Sequence, residues 1–315
     1  MIGVRVSPTR SNRAMPRTLA WLATLIVPCI ANAQGAAGTD IFLVPLSVRD
    51  TAVTVGAPVN ISARPGYDNQ PSFTADSRSI LFTSIRADGQ SDIYRYDMGT
   101  RATSRVTTTR ESEYSATPMP GGARISVIRV EADSTQRLWS FRADGADPRV
   151  VLADVKPVGY HAWADDSTLA LFVLGSQGTP STLQVASTRT GVARTVARGI
   201  GRSIHRVPGS RSISFVEKQS DSVWVIRRLD PSTDSIVTLV RTLPRVEDYA
   251  WAPDGSMFMA QGNRLFRWKP APGSTGSVTE WKPVAAFADP ALQRLSRLAV
   301  SQAGDWIALV STEPR

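Results

Sequence analysis

The sequence predicts an all-β fold, a six-bladed β-propeller of four-stranded antiparallel blades, and three observations carry the prediction. One phrase recurs: FTADSRSILF from Phe73, PMPGGARISV from Pro118, WADDSTLALF from Trp163, VPGSRSISFV from Val207, WAPDGSMFMA from Trp251 and VSQAGDWIAL from Val300. The phrase starts lie 45, 45, 44, 44 and 49 residues apart. A period in this range with four strands per unit is the signature of propeller blades. Finally, turn signals fall every 8 to 12 residues and no segment sustains a helical period.

The elements follow in chain order. Arg5, Arg10, Arg13 and Arg17 precede the apolar run Leu19 to Ile30, and Ala31-Asn32-Ala33 supplies small residues for cleavage. This reads as a secretory signal peptide over 1–33, too short in its apolar run to span a membrane. Met15, followed by Pro16 and Arg17, offers a second possible start. Cys29 raises lipidation, but Ile26-Val27-Pro28 lack the small residues such sites prefer. Cys29 is the only cysteine, so the mature chain, 34–315, must hold itself together by its core without disulfides. Removing the leader's four Arg leaves 32 basic against 27 acidic residues, +5 in place of +9. The remaining Arg are scattered, which argues against nucleic-acid binding.

Asp40 to Val44 and Val59 to Ala63 match third and fourth strands, with Ser47 to Pro58 read as a linker between them. The first phrase leads into Ile80–Ile85, an Ala87-Asp88-Gly89 turn, a third strand Asp92–Asp97 and a fourth over Ser104–Thr108. Asp-Gly steps between alternating runs are hairpin signals. The third strand recurs at Arg137–Phe141, Trp224–Ile226 and Arg264–Trp268. The sixth phrase leaves room for two strands before Arg315, so the N-terminal pair is expected to complete the last blade and close the ring. Trp139, Trp163, Trp224, Trp251, Trp268 and Trp306 stand at alternating strand positions and are expected to fill wedges between blades. Trp281 and Tyr67, near turns, are candidates for exposed contacts, and Pro270 to Thr279 reads as a further linker.

Trp251-Ala252-Pro253-Asp254-Gly255-Ser256 resembles the W-S-P-D-G-K core of the TolB-type, WD-repeat-like propeller repeat, and Gln70-Pro71-Ser72-Phe73-Thr74-Ala75-Asp76-Ser77 is a second match. The resemblance covers about residues 40 to 315 and implies a six-bladed propeller. TolB itself carries an α/β domain before its propeller, which this chain is expected to lack.

No nucleophile elbow, zinc-protease helix motif, phosphate loop or dinucleotide fingerprint is present, and no cofactor is implied. The two histidines, His161 and His205, are 44 residues apart, each two before a phrase start, and Tyr249 precedes Trp251 in the same way. The sequence therefore places these three at equivalent positions near the channel mouth. Neighbouring columns add Tyr160, Asp248, Glu247, Gln70, Asn69, Tyr114, Glu113 and Arg297. Three readings of this funnel stay open. It can be ordinary channel polarity, a ligand or peptide site, or a metal site built on His161 and His205 with a carboxylate. The expected function is an exported, monomeric binding or scaffolding module, periplasmic or secreted, without stable membrane insertion. Its partner would be a protein, peptide or glycan of the envelope or exterior. The alternative is a propeller enzyme, a His-based or metal-assisted lyase, hydrolase or cyclase, acting at the channel mouth.

Overall fold

In the computed structural model, residues 1–3, 38–49, 52–270 and 280–313 are described. The expected signal peptide and most of the 270–279 loop lie outside them. One compact unit spans Ala36–Arg315. Among the described residues its strands form six antiparallel sheets. Blades 1 to 5 begin at the innermost strands Asp68–Phe73, Ser112–Pro118, Val158–Trp163, Ile200–Arg206 and Tyr249–Trp251. Blade 6 runs from Leu295–Val300 to Trp306–Thr312 and then to Thr39–Arg49, so both ends of the chain share it. The expected ring closure is present, with Thr39 to Pro45 paired along Trp306 to Thr312.

The recurring phrase is the hairpin between the first two strands of a blade. In five of the six blades its turn carries a left-handed residue, Ser77, Gly122, Gly209, Gly255 or Gly304, with φ of 57°, 71°, 69°, 77° and 75°. Glycine takes this conformation without a Cβ clash. The Asp of the phrase then closes the turn. Asp254 Oδ1 accepts from Ser256 N at 3.1 Å and Ser256 Oγ at 2.6 Å, and its Oδ2 accepts from Arg267 at 2.7 Å and Lys269 at 3.0 Å.

Six apolar clusters fill the six wedges between blades. Phe42, Phe258 and Leu309 belong to the wedge of blades 5 and 6. Ile41, Phe73 and Phe82 belong to that of blades 6 and 1, and Leu81, Val127 and Phe141 to the next. Alternation along each strand sends successive side chains to opposite wedges, so every blade is glued on both faces. Trp163 and Trp268 are buried in these wedges, and Trp139, Trp224, Trp251 and Trp306 pack partly against them.

Two loop expectations need correction. Ser47 to Pro58 is largely a hairpin: Ser47↔Thr54 and Val48↔Val53 are paired, and Val48, Val53 and Val55 cover the wedge of blades 5 and 6. Apolar burial on one face orders what composition alone marked as a linker. Trp281 packs partly into the wedge of blades 4 and 5, and its indole donates to Arg241 O at 2.8 Å.

Candidate functional site

The innermost strands of all six blades enclose a central funnel of about 730 Å³. Exposed turn residues Ala75, Pro120, Gly209, Pro253 and Gln302 form its mouth. Strand pairing sets the levels below. Phe73, Pro118, Trp163, Arg206, Trp251 and Val300 pair with Ile80, Ile125, Leu169, Ile213, Met257 and Ile307, which makes them equivalent. Three residues earlier stand Gln70, Ser115, Tyr160, Ser203, Asp248 and Arg297, one polar side chain per blade, all lining the funnel.

This register corrects the expected column. Arg206, and not Val207, is the counterpart of Trp163 and Trp251, because the turn from Arg206 to Ile213 is one residue longer than those from Trp163 to Leu169 and from Trp251 to Met257. His161 and Tyr249 remain equivalent, whereas Ile204 is their counterpart and His205 lies one residue further along. One residue in a strand reverses the side chain's face. His161 and Tyr249 therefore turn toward the preceding blade, and His205 turns toward the following one.

His161 is 6 % exposed, with Nε2 2.6 Å from Ser126 Oγ of blade 2. The Trp163 indole donates to the same oxygen at 2.9 Å, and Ser126 Oγ donates to Thr117 O at 3.2 Å. A hydroxyl accepts twice and donates once, so the neutral histidine carries its proton on Nε2. Its Nδ1 is then a partnerless acceptor, a smaller cost than a stranded N–H. Protonation would bury a charge there, and burial lowers the His161 pKa to about 3.

Blade 5 repeats the arrangement on blade 4. Tyr249 Oη and Trp251 Nε1 donate to Ser214 Oγ at 2.7 and 2.8 Å, and Ser214 Oγ donates to His205 O at 3.3 Å. Burial raises the Tyr249 pKa. His205 is partly exposed, bonded to Ser203 Oγ at 2.9 Å and set edge-on against Tyr249 at 4.7 Å. Burial lowers its pKa to about 4, against a small opposing pull from Asp248. His161 and His205 thus lie in different wedges. Among the described residues no group of three His, Cys, Asp or Glu side chains is placed to hold a metal ion.

The funnel's floor is ionic. Arg202 binds Asp248 at 2.5 and 3.3 Å and approaches Glu247 at 3.4 Å, while Lys218 takes Glu247 at 2.8 Å. Burial opposes the Arg202 charge, but the Asp248 and Glu247 carboxylates more than offset it, so its pKa is raised. Arg297 of blade 6 reaches across the channel to the opposite blade, donating to Tyr160 Oη at 2.7 Å, and lies 3.9 Å from Asp248. Tyr160 rests edge-on against Phe172 at 5.8 Å. Tyr67 lies beyond this strap, within electrostatic reach of Arg297, Tyr160, Tyr114 and Arg202, with its pKa raised mainly by burial. Glu113 and Asn69 turn away: Glu113 is fully buried on Arg129 at 3.1 Å, and Asn69 bonds Thr39 at 3.4 Å.

Of the expected site residues, the structure gathers Tyr160, Asp248, Glu247 and Arg297 at the floor. It sets His205 in the wall and His161 and Tyr249 into wedges, and leaves Tyr114 beside Tyr67. Sequence reasoning missed Arg202, Lys218 and the two serine hubs. The hubs had a legible signal, since Ser126 precedes Trp163 and Ser214 precedes Trp251 by the same 37 residues.

No family model matches the chain. Among solved structures, a TolB-designated protein from Agrobacterium tumefaciens matches at 15 % identity with a TM-score of 0.64, covering 89 % of this chain and all of that one. TolB from Acinetobacter baumannii matches at 13 % identity and 0.55, covering 88 % of this chain and 65 % of that one. A chain of a nidogen/laminin complex matches at 13 % identity and 0.60, covering 83 % and 98 %. At such identities the likeness shows the fold alone, and together with the six sheets it gives a six-bladed β-propeller similar to those of TolB-type proteins.

Proposed function

We propose that this protein is an exported binding module of the cell envelope that takes a peptide segment of a partner protein into its central funnel. The carrying observation is the funnel itself. It is open at a rim of exposed turns, walled by six strands and crossed at its floor by the Arg297–Tyr160 strap. Each innermost strand is hydrogen-bonded to the rest of its sheet on one side only, which leaves a backbone edge toward the channel. Such an edge suits an extended peptide, whose own amides need partners. The TolB likeness and the leader-like N-terminus support placement in the periplasm or outside the cell. The enzyme alternative draws no support from His161, which is held between blades on Ser126.

A photo-crosslinking amino acid placed at Gln302 on the mouth, or at exposed Val192 in the turn before an outer strand, tests this in the native host. The expected result is a discrete partner adduct from position 302 that is absent from position 192. Equal adducts from both positions, or adducts from 192 alone, would move binding to the outer surface.

A further inference from the structure

We infer that the funnel floor is a carboxylate-reading subsite, where Arg297, supported by Arg202, receives an acidic group of the entering peptide. This rests on the peptide-binding reading above and adds what the peptide must carry.

The charges do not balance at the floor. Arg202, Lys218 and Arg297 face two carboxylates, Glu247 and Asp248. Glu247 is shared by Lys218 and Arg202, and Asp248 is bonded closely by Arg202. Arg297 receives only the far side of Asp248, at 3.9 Å. Among the described residues its one hydrogen bond goes to the neutral Tyr160 phenol. A guanidinium offers five N–H donors, so Arg297 retains donors and charge for an incoming anion. Tyr160 Oη accepts from Arg297 and keeps its own proton to donate. The two groups together match a carboxylate, which has only acceptors. Both line the funnel, away from bulk water, where such a pairing is stronger than at an open surface.

The walls favour a peptide over an acidic sugar. Sugars are gripped on open aromatic faces, but Trp163 and Trp251 are tied through their indole N–H groups to serines of the neighbouring blades. The mouth presents Pro118, Pro120, Pro208, Pro253 and Met119, an apolar lining suited to side chains.

Three probes test the inference on the mature protein by fluorescence polarisation. They are an amidated heptapeptide pool rich in Asp and Glu, the same pool with Asn and Gln instead, and a uronic-acid trimer. The acidic pool should bind at least about tenfold tighter than the amide pool, as expected for one charge-assisted contact. In Arg297→Gln that preference should vanish, and in Arg297→Lys part of it should return. Thermal melting checks that both variants fold. If Arg297→Gln does not, a salt series on the wild type decides, with the acidic preference falling as salt rises. Equal binding of both pools overturns the carboxylate subsite while leaving the peptide funnel. Binding of the trimer alone overturns the peptide as occupant. Capture of no probe overturns the funnel reading with it.

Discussion

Replacing His161 by glutamine should flatten the acid side of the stability curve by an amount the structure sets. The ring is buried in a wedge with one nitrogen on Ser126 and the other without a partner, so its pKa falls from 6.5 to about 3. The unfolded chain binds the proton near pH 6.5 and the folded chain does not. The neutral ring's contribution is therefore fully present above pH 6.5 and is lost as pH falls from there toward about 3. At pH 5 the loss is about 2 kcal/mol, from ~1.5 pH units at ~1.4 kcal/mol each. Glutamine places an amide nitrogen near the position of Nε2 and does not titrate, so it keeps the bond to Ser126. Urea unfolding at pH 7.5 and 5.0 should show the wild type losing about 2 kcal/mol more than His161→Gln across that interval. His205 titrates in both proteins and cancels. Parallel pH profiles would show that water or a carboxylate reaches the ring, and would refute its assignment to a sealed wedge.

Other expectations follow from the same contacts. Ser126→Ala and Ser214→Ala each strand two buried donors and should cost about 2–4 kcal/mol in chemical denaturation. Ser311→Ala, at a buried hydroxyl without a partner, should cost under about 1 kcal/mol, and equal losses at all three would undo the hub argument. Burial opposes ionisation of Asp254, yet Ser256, Lys269 and Arg267 hold its pKa at about 2. Its stabilisation is present above pH ~3.8 and is lost as pH falls through about 2. Asp254→Asn should therefore lower stability at pH 7 by about 1–2 kcal/mol, seen as a reduced denaturation midpoint. N-terminal sequencing of protein secreted by the native host should begin at Gln34, and a chain beginning at Met1 or Met15 would refute the leader reading.

The architecture was legible because it is written six times. A tight turn of Asp, Gly, Ser or Pro and an alternating strand behind it can be counted along the chain, and the pairing of Thr39–Pro45 with Trp306–Thr312 follows from that count. The site was legible only in part. The phrase marks the end of the innermost strand, but a turn one residue longer than those of blades 3 and 5 moves blade 4 by one residue against it. In a strand that single step exchanges one wedge for the other, so His205 turns to blade 5 while His161 turns to blade 2. Tyr160, Asp248, Glu247 and Arg297 of the floor were legible as residues, but their contacts escaped for another reason. Arg297 and Tyr160 are 137 residues apart and meet because six blades in a closed ring set blades 3 and 6 opposite each other. Such a contact belongs to the ring and not to any one repeat.

The two serine hubs show how an imperfect repeat divides its labour. Where the phrase begins with Trp163 or Trp251, the preceding blade offers Ser126 or Ser214 to receive the indole proton. Elsewhere the equivalent positions are filled by Leu81, Ala170, Phe258 and Ala308, so an apolar side chain stands where the hubs place a hydroxyl. The hubs consume His161 and Tyr249, the very residues that spacing offers as site candidates. The level one residue deeper faces the channel. There the blades hold Gln70, Ser115, Tyr160, Ser203, Asp248 and Arg297, five kinds of side chain in six positions. A position fixed by packing must keep complementary partners in the next blade, whereas a position facing the channel can vary blade by blade without loosening the ring. The asymmetry of that level, charged at Asp248 and Arg297 of blades 5 and 6 and uncharged across blades 1 to 4, is therefore the feature that gives a round funnel one preferred way to hold its ligand.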